Sequence, residues 1–191
     1  MHFIIVPGLN GSDHNHWQSA WESAWLANST RIAPASWTHP DRDDWTAAID
    51  LAVRQHADDD VVLVTHSLGC YATAHWLTTS AAPHVRGVFM VAPPDQCAPT
   101  FPAALLSTFA HLEASPLRLP AVLLASDDDP YCTVEAAAGL ATNWAVPLIT
   151  TGRQGHINSD SDLGLWPLGQ RLLTSFVAGL GHTMTIGSRS E

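Results

Sequence analysis

The chain contains no lysine; all eight of its cationic side chains are arginines. That absence excludes Schiff-base chemistry, Ser–Lys pairs and lysine-dependent phosphate loops. Cysteine is scarce as well. Cys70, Cys97 and Cys132 are scattered, odd in number and never spaced as C-x-x-C, which argues against a disulfide framework and for a reducing, cytoplasmic setting. Positive charge is short: 18 acidic against 8 basic residues give a formal net charge of −10. No basic surface could neutralise nucleic-acid phosphates, and anionic membrane surfaces are disfavoured. No apolar run reaches the length of a membrane span. The opening MHFIIVPGLNG has no basic region before its short apolar run, so it reads as a first strand and not as a leader.

What remains is core. Hydrophobic residues make up 46% of the 191 positions, enough for one globular domain. The expected strands are His2 to Val6, Ser29 to Ala33, Val61 to Thr65, Val85 to Val91, Ala121 to Ala125 and Pro147 to Thr150. Helical stretches separate them. One, with Asp13 as its expected cap, carries Trp17, Trp21 and Trp25 at four-residue spacing, read as a core stripe. Others start at Asp43, run from Leu68 to Thr78, from Val134 to Trp144, and from Pro167 to about Leu180. Alternation of this kind implies a mostly parallel six-stranded sheet with helices on both faces and ligands at the strands' carboxyl ends. One domain is expected over 1–181, with a frayed tail over 182–191. The proline-rich stretch from Ala92 to Pro120, with a helix-like patch from Ala103 to Leu112, reads as a small cover shaping a substrate.

The chemistry concentrates after the strands. In VVLVTHSLGC a buried strand turns abruptly into a helix at Ser67. Such a turn projects a serine hydroxyl toward both a base and a substrate, and needs small residues two places to either side. Here those are Thr65 and Gly69, so the pattern is T-x-S-x-G and departs from G-x-S-x-G by a bulkier first residue. The bland alternative is a serine that caps a helix. The Leu68 amide would face a developing oxyanion, joined by an amide of the loop Pro7 to Gly11; Leu9 is preferred and Asn10 is the alternate. Beyond Asp129 the chain has two histidines, His156 in a loop and His182 near the end, and His156 is the candidate base. The acid lies among Asp127, Asp128 and Asp129 directly after a strand. The order Ser, Asp, His is that of the α/β-hydrolase fold and not of chymotrypsin or subtilisin.

Four segments carry a resemblance: PGLNGSDHNHWQSAWE, THSLGC, SDDDPYC and GHINSDSDLGLWPLG. Across nearly the whole chain it resembles the small serine hydrolases related to retinoblastoma-binding protein nine. The resemblance implies a compact α/β-hydrolase fold without a large lid. It also implies Ser67, Asp129 and His156 as the triad. It supplies no particular substrate.

The expected activity is hydrolysis of a small ester through an acyl-enzyme, without cofactor or metal. The alternatives are a peptidase, amidase or acyltransferase on the same residues, or a protein-binding module that keeps the fold. The expected partner is a small acyl compound. Asn10 and Trp166 are candidates for substrate contact, although Trp166 reads more readily as an anchor for the last helix. His14 and His16 do not share a helix face and lack a third ligand, which argues against a metal. His16 is expected to bond near the active-site loop. Cys132 reads as a small buried apolar side chain, and Arg153 as an exposed loop residue.

Overall fold

The computed structural model describes residues 1–184 apart from 111. Its strands are β1 (His2–Val6), β2 (Ser29–Arg31), β3 (Val61–His66), β4 (Val85–Val91), β5 (Ala121–Ala125) and β6 (Leu148–Thr150). They form one parallel sheet in the order β2-β1-β3-β4-β5-β6. The helices are α1 (Trp17–Ala24), α2 (Arg42–Gln55), α3 (Leu68–Thr79), α4 (Val134–Trp144) and α5 (Pro167–Gly179). This is the α/β-hydrolase architecture, with helices on both faces of the sheet.

The two-residue period of a strand divides the core. Ile4, Val6, Val61 and Leu63 face one layer with Trp45, Trp76 and Trp144. Phe3, Ile5, Val62 and Val64 face the other, with Trp17, Trp21, Leu173 and Val177. Strands covered on both faces have no polar side, which is why the central ones read as unbroken apolar runs. Each buried indole removes about 200 Å² from water and contributes roughly 5 kcal/mol.

Local chemistry sets the helix starts. The Asp41 carboxylate accepts from the Asp43 and Asp44 amides and caps α2, while Thr133 caps α4 through the Ala136 amide. For α1 the expected cap is displaced. His16 is the N-cap, its Nδ1 accepting from the Gln18 amide at 3.1 Å. Asp13 instead accepts from the Asn15 amide and from Ser159 Oγ.

The segment from Ala92 to Pro120 is irregular, and the patch expected to be helical is built from turns among its described residues. Phe101, Leu106 and Phe109 are buried there. Leu106 and Phe109 keep the three-residue spacing of a helix face, but the backbone closes only isolated turns on the Pro102 and Leu106 carbonyls. Phe109 packs edge-on against Trp45 at 5.6 Å. The tail expected over 182–191 lies outside the described residues from 185 onward. Before that point the His182 amide bonds to the Val177 carbonyl, and Met184 packs against the α1–α5 layer.

Candidate active site

Ser67 stands between β3 and α3 with φ 53° and ψ −124°. A non-glycine residue in that region is strained and persists only when its neighbours enforce it. Here the Ser67 amide bonds to the Val91 carbonyl at 2.9 Å, and α3 begins at the next residue. Two glycines make the turn possible. A Cβ on Gly69 would lie 2.4 Å from the Pro7 carbonyl oxygen, and one on Gly8 would lie 2.6 Å from Ser67 Cβ. Ser67 occupies the N-cap position, yet its side chain makes no cap bond. Its Oγ lies 2.9 Å from His156 Nε2 instead. The bulkier Thr65 fits because its hydroxyl turns to Cys70 Sγ, 3.2 Å away inside the core.

His156 Nδ1 lies 2.8 Å from Asp129 Oδ2 and 3.0 Å from Oδ1. The Asp129 carboxylate also accepts from the Tyr131 amide, and its side chain is only 2% exposed. The structure therefore brings Ser67, His156 and Asp129 into one hydrogen-bonded line. The carboxylate fixes a proton on Nδ1 and leaves the Nε2 lone pair facing the hydroxyl. The two other acidic candidates lie elsewhere. Asp127 is exposed. Asp128 Oδ1 accepts from Ser126 Oγ and the Gly155 amide, and these bonds hold its carboxyl below the usual range. Asp128 braces the loop before His156.

That loop is secured from several directions. His66 Nε2 is 3.0 Å from the His156 carbonyl. The Trp17 indole donates to the Ile157 carbonyl at 2.8 Å, and Trp21 donates to the Leu165 carbonyl at 2.7 Å. The Gln154 amide donates to Ser126 Oγ. The tryptophan stripe of α1 is thus core on one side and an anchor for the base-bearing loop on the other. Sequence reasoning missed His66 and the anchoring role of Trp17. The repeated Trp spacing marks a buried face, but nothing in it announces where the indole N–H points.

Trp166 requires a correction. It is 1% exposed and belongs to the core. Its ring stacks on Trp21 and lies over Gly169, where a Cβ would meet ring carbons at 2.0 Å. Its indole donates to Gln154 Oε1 at 2.9 Å. It anchors α5 and does not face the cavity.

A cavity of about 390 Å³ opens at Ser67, lined among others by Leu9, Asn10, Leu68 and Tyr131. Among the described residues the Leu9 and Leu68 amides have no backbone partner, whereas the Asn10 amide donates to the Trp37 carbonyl at 2.9 Å. Asn10 is therefore unsuited as an oxyanion donor, although it remains in the cavity wall. The two imidazoles nearest His156 carry no charge. Burial keeps His66 well below its ordinary pKa, with His16 a smaller cause. Burial and then Arg31 take His16 to about 3. Both rings are neutral near pH 7, so a proton arriving on His156 meets no like charge from them. Burial pushes the Cys70 and Cys132 thiols up to about 12, which leaves neither as a nucleophile. Arg153 is an exposed loop residue, 3.4 Å from Asp128.

A family model described as serine hydrolase matches residues 3–175. Among solved structures, a protein described as a YdeN-like hydrolase from Pectobacterium atrosepticum is 31% identical, with a TM-score of 0.81 over 94% of this chain and 91% of that one. The ydeN gene product of B. subtilis is 22% identical, with a TM-score of 0.75 over 93% and 98%. A monoacylglycerol lipase of Paleococcus ferrophilus is 14% identical, with a TM-score of 0.64 over 92% and 93%, a likeness of fold alone. No curated protein matches the chain in sequence. Among the described residues no helix is long and apolar enough to cross a membrane.

Proposed function

Because this chain belongs to the serine hydrolase family, we propose that it hydrolyses a small carboxylic ester through an acyl-enzyme on Ser67. His156 takes the Ser67 proton as Oγ attacks the carbonyl carbon. Asp129 holds the imidazole in the required tautomer and stabilises its cation. The Leu9 and Leu68 amides receive the oxyanion. His156 then protonates the departing alkoxide, and a water activated by the same ring releases the acid. The resemblance to relatives of retinoblastoma-binding protein nine belongs to this reading. So does a cytoplasmic setting, which the free Cys70, Cys97 and Cys132 favour.

The observation that supports it most is the line from Ser67 Oγ to His156 Nε2, 2.9 Å, and from His156 Nδ1 to Asp129 Oδ2, 2.8 Å. Such a line lowers the barrier only if the hydroxyl is the attacking group. The test is labelling with a fluorophosphonate beside turnover of a short-chain p-nitrophenyl ester. Wild type labels on the Ser67 peptide and turns over; Ser67→Ala does neither. Undiminished labelling of Ser67→Ala discards the reading. Matched amide and ester substrates, run with and without an alcohol acceptor, separate an esterase from an amidase or acyltransferase.

A further inference from the structure

The cavity at Ser67 is lined by three carboxylates from three different loops: Asp13 after β1, Asp95 after β4 and Asp160 after β6. No arginine lines it, and the chain has no lysine. Its two flanking imidazoles, His16 and His66, are kept uncharged by burial. Asp13 is ionised at neutral pH, its carboxyl held low by the hydroxyl of Ser159. The Asp95 carboxylate accepts from the Cys97 amide. Among the residues that line the cavity the fixed charge is therefore of one sign; Arg31, near enough to lower the pKa of His16, is paired with Glu22. Two aromatic rings share the wall, Phe101 and the half-exposed Tyr131; Tyr131 stands edge-on to His156 at 4.7 Å. Carboxylates with aromatic faces form a favourable setting for an organic cation.

The same wall contains a buried donor whose partner is missing. His16 also lines the cavity and is 2% exposed. Its Nδ1 accepts from the Gln18 amide, which puts the proton on Nε2, and Nε2 has no hydrogen-bond partner. A buried donor without an acceptor is costly and rare.

The geometry points to a substrate that carries an organic cation, a protonated amine or a quaternary ammonium, within a few bonds of the scissile acyl group. The inference rests on the hydrolase reading above. Anionic acyl groups and phosphate-bearing carriers are disfavoured by the same charges. The cation can sit on the leaving group or on the acyl chain, and the two cases share this chemistry.

The test uses two arms of thioesters followed by thiol release. In the first the charge is on the leaving group: acetylthiocholine, its neutral isostere with carbon replacing the quaternary nitrogen, and a carboxylate of equal length. In the second the same three groups end the acyl chain of an ethyl thioester. In at least one arm the cationic compound exceeds the anionic one in kcat/KM by about tenfold or more at low salt, and the ratio shrinks toward one at about 1 M salt. Joint replacement Asp13→Asn, Asp95→Asn, Asp160→Asn collapses the ratio; where that variant does not fold, the wild-type ratio and its salt dependence decide. Turnover of the neutral compounds with a ratio of one or below in both arms overturns this inference alone. If no thioester or ester is cleaved and Ser67 does not label, the hydrolase reading falls and takes this inference with it.

Discussion

Two groups of histidines sit at opposite ends of the same sheet. At the strand starts, the His2 and His56 rings stack with centroids 3.4 Å apart and planes 14° from parallel. Thr30 Oγ1 lies 2.9 Å from His2 Nε2 and 3.1 Å from His56 Nε2, and Asp59 lies 3.2 Å from His56 Nδ1. At the strand ends, His16, His66 and His156 gather near Ser67, with ring centroids 4.7 and 5.0 Å apart. Both groups hold imidazoles and a carboxylate at bonding distance. Only the second has a nucleophile in a strained turn and a cavity in front of it. In the first group both Nε2 atoms converge on the Thr30 hydroxyl, which takes up their hydrogen bonds and offers no activated nucleophile. Nearness of titratable groups does not make an active site; convergence on an accessible reacting atom does.

The sharpest way to break that comparison is to disable each group in turn. Asp129→Asn keeps the shape but favours the wrong tautomer of His156, and kcat should fall by about 10⁴-fold. The double variant His2→Ala, His56→Ala should stay within about twofold of wild type, because nothing there faces Ser67. Ester turnover by the three proteins under one condition is the measurement. If the strand-start variant lost as much as Asp129→Asn, the two groups would have to be regarded as coupled.

A smaller effect separates the groups by pH. His16 and His66 are neutral in the fold, with pKa values lowered by burial from an unfolded value near 6.5. The sign follows directly: below 6.5 the unfolded chain takes up protons that the fold refuses, so stability is full above that pH and drains away as pH falls toward the folded values. Each group costs about 1.4 kcal/mol between pH 7.5 and 5.5, or about 3 kcal/mol for the pair. His2, lowered to about 4, acts with the same sign. The lowered carboxyls of Asp13, Asp60 and Asp128 titrate below this window. Urea midpoints at the two pH values measure the loss, and His66→Asn should flatten it. A pH-independent midpoint would mean these rings admit protons in the folded state.

The fold was largely legible because its elements are locally consistent. β1 and α4 have the expected bounds, one an unbroken apolar run and the other a helix capped by Thr133. The positions of Ser67 and His156 were legible as residues that follow strands, since a parallel sheet gathers such residues at one rim. The choice among Asp127, Asp128 and Asp129 was not legible in the residues themselves; only the family resemblance pointed to Asp129. All three are near in sequence to the same strand end, and the direction of each side chain depends on Pro130 and on bonds from Gly155 and Ser126. Trp166 was legible as an anchor for the last helix, but the bare backbone of Gly169 that lets its ring lie flat was not. The role of His66 was not legible, because its partner, the His156 carbonyl, is 90 positions away.

The mildest test concerns the indole that ties α1 to the base-bearing loop. Trp17→Phe keeps an aromatic ring against Trp21 and Trp166, to which Trp17 packs at 4.5 and 5.0 Å. It removes the donor to the Ile157 carbonyl, leaving a buried acceptor without its partner. Stability should fall by about 1–2 kcal/mol. The catalytic consequence should be separable from that loss. Ile157 holds a left-handed backbone, φ 49°, immediately after His156, and the lost bond is one of the forces that keep it there. Relaxation at Ile157 would carry the imbalance into His156, so kcat should drop about tenfold with KM little changed. A control on the other face, Trp76→Phe, loses only a 3.3 Å bond to Asp50 and should cost stability without touching kcat. Equal kcat for the two variants would reduce Trp17 to packing and leave His66 as the principal restraint on the loop.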